Sequence, residues 1–116
     1  MKQIEIKAAI ENLIDTFLYA GKVSIELRKK GLIKEIKEDN TPVSNGDLEV
    51  NRILTEKINN LTPQIPIVSE ETSHNKSKKD LKNFWLIDPI DGTYDYINDL
   101  DEFTLNAGLI INNRAV

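Results

Sequence analysis

A chain of 116 residues is long enough for one domain with a real hydrophobic core and calls for no second one. The absence of cysteine excludes disulfides, thiolate metal sites and a thiol nucleophile, so the chemistry must rest on oxygen donors, and a reducing, cytoplasmic setting is expected. A formal net charge of −4 argues against a broad basic surface for nucleic acid, yet it admits a small phosphorylated substrate, because a bound cation can reverse the sign of a carboxylate-rich pocket.

The first residues carry charge through what would be the apolar core of a signal peptide, and no later stretch reaches membrane-spanning length. From Gln3 to about Lys30, Ile6, Ile10, Leu13, Phe17, Ala20 and Leu27 recur mostly at three- and four-residue steps, which predicts one long amphipathic helix ended by Gly31. Leu32 to Lys37 and Thr41 to Val43 read as two short extended pieces around the turn cluster Glu38-Asp39-Asn40.

Ser44 is placed to cap a second helix with Asp47 at its third position and Leu48, Val50, Ile53, Leu54, Ile58 and Leu61 as its apolar stripe. That helix stops before Pro63. Ile65 to Val68 and Phe84 to Ile87 are nearly continuous apolar runs, expected as strands of a mixed sheet buried on both faces. The intervening segment from Thr72 to Lys82 is polar and lysine-rich, the composition of a solvated loop, and His74, Lys76, Lys78 and Lys79 are expected to be exposed there without a role.

The last strand alternates, with Phe103, Leu105, Ala107, Leu109 and Ile111 on one face and Thr104, Asn106 and Gly108 on the other. Asn112-Asn113 reads as a hairpin turn and Arg114-Ala115-Val116 as the start of a returning strand. A sheet cut there would leave an apolar edge open to self-association, so an incomplete domain is expected.

Each buried strand delivers acids at its C-terminal end: Glu70 and Glu71 after the first, Asp88 and Asp91 after the second. Acids gathered beyond the carboxyl edge of a sheet stand where open α/β sheets place ligands, and their mutual repulsion is relieved by cations. Pro89 is expected to turn the chain just after Asp88 and free the Ile90 carbonyl to face the site. Gly92 permits close backbone approach, and Thr93 at a helix start offers its hydroxyl to a water or a phosphate oxygen. Asp47 fits equally well as a first-turn helix acid or as a catalytic group.

Spacing removes three other readings. Phosphatases of the haloacid-dehalogenase type keep one residue between the two acids of Asp…Asp-Gly-Thr, whereas Pro89 and Ile90 make two here. An EF-hand loop beginning at Asp91 would meet Tyr96 where glycine is needed. No Gly-Lys-Ser/Thr follows a strand, so there is no P-loop.

The run Asp88-Pro89-Ile90-Asp91-Gly92-Thr93, preceded by Trp85-Leu86-Ile87 and by Val68-Ser69-Glu70-Glu71, resembles the signature of the inositol monophosphatase superfamily. Lys37 to Asp47 is similar to that family's Lys…Ser-Pro-Val-Thr-x-x-Asp segment, with Ser44 for the usual threonine and Gly46 where alanine is common. Tyr94-Asp95-Tyr96-Ile97 with Glu102-Phe103-Thr104-Leu105-Asn106 looks most like the bacterial 3′(2′),5′-bisphosphate nucleotidase branch.

The resemblance implies a layered α/β sandwich of the sugar-phosphatase type, of which this chain is the N-terminal part of a single domain, with two helices and a mixed, mostly antiparallel sheet. It implies lithium-sensitive phosphomonoester hydrolysis with two or three Mg2+ ions, converting adenosine 3′,5′-bisphosphate to AMP in sulfur metabolism. Glu70, Asp88 and Asp91, with the Ile90 carbonyl, match metal ligands. Thr93 matches the hydroxyl that orients the attacking water, with Asp47 as its acidic partner. Glu70, Asp91, Gly92 and Thr93 match phosphate contacts.

Family chains continue past the last strand here into a second half with a further metal-ligating aspartate, so this chain alone is expected to hold part of a site. An inositol-phosphate phosphatase of the same superfamily is the enzymatic alternative. A non-catalytic metal- or phosphate-binding fragment is the other.

Overall fold

The computed structural model describes residues 2–37, 42–69, 82–98, 100, 103–112 and 114–116. Helix α1, Gln3–Lys30, has the predicted extent. Glu5 in its first turn and Arg28, Lys29 and Lys30 in its last complement the helix dipole. Gly31 ends it at φ 95°, a conformation that disfavours a side chain. Its buried line is Ala9, Leu13, Ala20 and Ser24, with Ile6 and Phe17 packed against the same core, so the expected stripe faces inward except at Ile10, which is 44 % exposed and yields its place to Ala9.

The two expected extended pieces are strands β1, Lys34–Ile36, and β2, Pro42–Ser44, which pair antiparallel, and the turn cluster between them lies outside the described residues. A reciprocal pair of hydrogen bonds binds this ribbon to the next helix: the Ile33 amide donates to the Asn45 side-chain oxygen, and the Asn45 amide donates to the Ile33 carbonyl, both at 3.0 Å.

Helix α2, Asn45–Leu61, starts in a capping box between Ser44 and Asp47 and ends before Pro63. Its inward face is Gly46, Asp47, Val50, Asn51, Ile53, Leu54 and Ile58. Leu48, expected on that stripe, is 49 % exposed, because positions 47, 50, 51, 54 and 58 follow the helical repeat and 48 falls off it. The polar residues Asp47 and Asn51 occupy the inward positions that apolar patterning could not assign.

The second sheet has the order β3-β4-β5-β6, formed by Ile67–Ser69, Phe84–Asp91, Thr104–Ile111 and Arg114–Ala115. Strand β3 runs parallel to β4, and the other two pairings are antiparallel, as a mixed and mostly antiparallel sheet requires. Between β4 and β5 a short helix α3, Thr93–Ile97, begins at Gly92. Asn112, at φ 50°, opens the final turn.

Leu13 and Ala20 of α1, Val50, Leu54 and Ile58 of α2, and Trp85, Ile87, Ile90 and Leu109 of the sheet form one core. The predicted inner face of β5 is observed, with Leu109 buried and Phe103, Leu105, Ala107 and Ile111 packed against that core. Strand β4, by contrast, is not buried on both faces: Leu86 is 38 % exposed and Asp91 is exposed. The core-forming residues of α2 lie against the other face, that of Trp85 and Ile87. Among the described residues, no helix is long and apolar enough to cross a membrane.

Candidate functional site

Proline was expected to end pairing after Asp88, but β4 continues to Asp91. The register runs regularly to Asp88↔Asn106, breaks, and resumes at Asp91↔Thr104, so Pro89 and Ile90 oppose the single residue Leu105. This is a β-bulge, and it tolerates proline because the inserted residue makes no ladder hydrogen bond.

The bulge also sets the direction of the acids. In a regular strand, residues three apart point to opposite faces. The extra residue restores parity, so Asp88 and Asp91 share the face of their partners Asn106 and Thr104, while Ile90 is buried with the core. The Asn106 side-chain nitrogen lies 3.5 Å from an Asp91 carboxylate oxygen and 3.1 Å from Thr104 Oγ1. The sequence places Asn106 on the outer face of the last strand and in the branch-marking element, but its register opposite Asp88 is not legible from the chain alone.

Asp47 is fully buried and accepts three hydrogen bonds, which is how a buried carboxylate is kept satisfied. Its Oδ2 takes the Ser44 amide at 2.9 Å and the Ser44 hydroxyl at 2.5 Å. Its Oδ1 takes the Thr93 hydroxyl at 2.8 Å. The capping and catalytic readings of Asp47 are thus not alternatives, since one oxygen caps α2 and the other reaches Thr93.

The Thr93 hydroxyl has one proton and two acceptors within range, Asp47 Oδ1 at 2.8 Å and the Ile90 carbonyl at 3.1 Å. The shorter bond to a carboxylate is the stronger. With its proton directed at Asp47, Thr93 keeps a lone pair to accept a hydrogen bond from a water, and the Ile90 carbonyl keeps its lone pairs for another partner.

Strand β3 ends at Ser69, opposite Ile87, while its parallel neighbour β4 runs on to Asp91. Ser69 donates its hydroxyl to the Asn51 side-chain oxygen at 2.5 Å, and both residues are buried. Asn51 stands one turn after Asp47, so α2 fixes both the Asp47–Thr93 pair and the end of the strand that precedes Glu70. The i, i+4 spacing from Asp47 was the available signal for Asn51. Glu70, Glu71, Glu102 and the polar loop with His74, Lys76, Lys78 and Lys79 lie outside the described residues.

The donors on this edge are all oxygens, and two carboxylates on one face carry like charges that a hard cation such as Mg2+ neutralises, so the chemistry present fits such an ion. Among the described residues alone, no group of three or more acids or histidines is close enough to enclose a metal.

Behind Thr93, Tyr96 is fully buried, and its hydroxyl donates to the Ser24 carbonyl at 2.6 Å. Burial first, and then the nearby Asp47 charge, push its phenol up to about 12, against a smaller opposing effect of Arg28. The folded state therefore holds this proton more tightly than the unfolded chain, whose tyrosine titrates near 10. Stability that is full below about pH 10 is expected to fall as pH rises toward about 12, and Tyr96→Phe is expected to flatten that decline. Melting temperature against pH for the two proteins checks this.

A model of the inositol monophosphatase family matches residues 5–116. The chain is 42 % identical over 99 residues to the 3′(2′),5′-bisphosphate nucleotidase CysQ of Haemophilus influenzae, covering 84 % of this chain and 37 % of that protein. Among solved structures, the extragenic suppressor protein suhB of Bartonella henselae superposes with a TM-score of 0.79 at 21 % identity, over 94 % of this chain and 42 % of that one. An IMPase/NADP phosphatase complexed with Mg2+ and phosphate superposes with a TM-score of 0.76 at 19 % identity, over 92 % and 41 % of the two chains. The chain thus spans about two fifths of the length of the relatives it matches.

Proposed function

The chain belongs to the inositol monophosphatase family, and on that premise we propose that the protein takes part in Mg2+-dependent hydrolysis of a phosphomonoester, most specifically the 3′-phosphate of adenosine 3′,5′-bisphosphate. The observation that carries the reading is the Thr93–Asp47 hydrogen bond, set beside two carboxylates that a bulge turns to one face. The choice of nucleotide over inositol phosphate rests on likeness to the bisphosphate nucleotidases.

Asp88, Asp91 and the Ile90 carbonyl, with Glu70, are the groups that would hold Mg2+, and the two or three ions expected from the family resemblance would have to draw further ligands from elsewhere. When bound, such ions neutralise phosphoryl charge and make a water more acidic. Asp47 holds the Thr93 hydroxyl so that its lone pair faces outward, and Thr93 in turn orients the attacking water by accepting its hydrogen bond, its own proton passing to Asp47 as the water gives one up. The backbone of Gly92 and Thr93 offers amide groups to the phosphate. Lithium sensitivity, a role in sulfur metabolism and a cytoplasmic location belong to the same proposal.

Incubation of the protein with adenosine 3′,5′-bisphosphate and with inositol 1-phosphate, with and without Mg2+, tests it. Phosphate release from the nucleotide that needs Mg2+ and disappears in Asp91→Asn is the expected result. Preferential release from the inositol ester would transfer the assignment to that branch, and no release from either by folded protein would leave a binding role without turnover.

A further inference from the structure

We propose that Tyr96 and Gly46 form a matched spacer that sets the gap between Asp47 and Thr93, with Tyr96 the positioning residue for that pair. The proposal rests on the reading of Asp47 and Thr93 as the water-orienting groups, and it adds a residue to which that reading assigns no role.

Gly46 lies inside the first turn of α2, and its φ is not among the positive values of the described residues, which belong to Gly31, Gly92 and Asn112. Backbone conformation therefore does not require glycine there, and glycine within a helix is destabilising relative to alanine. Space does require it. A Cβ on Gly46 would stand 2.1 Å from the Tyr96 hydroxyl oxygen and 2.7 Å from ring atoms Cε2 and Cζ. No real Cβ is accommodated at such distances without movement of the neighbour.

The phenol has little freedom to move. Its hydroxyl is held by the Ser24 carbonyl of α1 at 2.6 Å, and its ring packs edge-on against Phe103 with centroids 4.9 Å apart. The Arg28 guanidinium lies over both rings, 5.7 Å from the Tyr96 centroid and 5.1 Å from that of Phe103. Gly46 directly precedes Asp47, and Tyr96 follows Thr93 by about one helical turn. The starts of α2 and α3, which meet through the 2.8 Å Thr93–Asp47 hydrogen bond, meet again where the phenol rests on the bare Cα of Gly46. Any group added to Gly46 has to part the two helix starts, and parting them lengthens the hydrogen bond.

The test compares the wild type with Gly46→Ala, Tyr96→Phe and the double variant, each checked by thermal melting, by crystal structure and by turnover of adenosine 3′,5′-bisphosphate with saturating Mg2+. Gly46→Ala is expected to lengthen the Thr93–Asp47 separation beyond the hydrogen-bonding range of about 3.2 Å. Its kcat is expected to fall by about 10²-fold, as for a misplacement of about 1 Å, with KM little changed. In the double variant the nearest obstructing atom is gone and the ring can retreat, so both the separation and most of the lost kcat should return. A protein that fails to fold as Gly46→Ala but folds as the double variant would also support the spacer.

The proposal is overturned if Gly46→Ala keeps the hydrogen bond and the wild-type kcat, if the double variant is no better than the single one, or if Gly46→Ala fails to fold in both backgrounds. If the wild type releases no phosphate, the functional reading fails by itself, while the Thr93–Asp47 separation across the four structures still decides the spacer.

Discussion

Asp47→Asn is expected to slow phosphate release by about 10²–10⁴-fold while leaving the fold standing, because it reverses one hydrogen bond and preserves the others. The carboxylate accepts from Ser44 on one oxygen and from Thr93 on the other. An amide has a single oxygen. Two donors converge from Ser44 and one from Thr93, so the amide oxygen turns toward Ser44 and its NH2 toward Thr93. That NH2 then donates to Thr93 Oγ1, occupies the lone pair a water needs, and sends the hydroxyl proton to the Ile90 carbonyl 3.1 Å away.

The cap on α2 survives in this variant, so its stability loss should stay near about 1 kcal/mol, the scale of a single altered capping interaction. Asp47→Ala removes the cap as well and should cost up to about 2 kcal/mol. Urea unfolding and initial rates on the same three proteins separate the two functions of the carboxylate. Full turnover in Asp47→Asn would mean that Asp47 only caps the helix.

How far this site could be read in the sequence depended on the range of the interactions involved. The extents of α1 and α2, the Ser44 cap and the inner face of β5 depend on neighbours within a few positions, and each was legible from its period or its capping residue. Leu48 and Ile10 went wrong by one position, since a stripe read from hydrophobicity ignores that Asp47, Asn51 and Ser24 can turn inward when they find partners. The spacing of Asp88 and Asp91 was read correctly as two intervening residues, but its meaning depends on β5. Only the register against Asn106 and Thr104 shows that the extra residue makes a bulge and puts both acids on one face. The Tyr96–Gly46 contact joins positions fifty residues apart by number and leaves no periodic trace, so Gly46 stood out only through the resemblance, as a glycine where alanine is common.

Trp85→Ala should produce the largest loss of stability, about 3–5 kcal/mol, against the ~5–15 kcal/mol that holds a typical domain together. Trp85 is 3 % exposed and is the second residue of the strand that carries the acids. Its indole nitrogen donates to the Thr62 hydroxyl at 3.0 Å, and that hydroxyl donates onward to the Ile58 carbonyl at 2.9 Å, so the ring also locks the end of α2 to the sheet. Trp85→Phe keeps much of the apolar volume and loses the donor, for an expected cost of about 1–2 kcal/mol. Because this is the only tryptophan, unfolding has to be followed by circular dichroism rather than by its fluorescence.

The comparison also bears on the site. The acids flank the bulge, toward the other end of β4 from the ring, and Mg2+ binds only the folded form if they are its ligands. Added at about 100 times its dissociation constant, Mg2+ should then raise the stability of wild type and Trp85→Ala alike by about 2.7 kcal/mol. Equal increments mean that the bulge and its carboxylates are set locally, by the pairing of Asp88 and Asp91 with Asn106 and Thr104. A smaller increment in Trp85→Ala would show instead that the core end of the strand holds the metal-facing end in register.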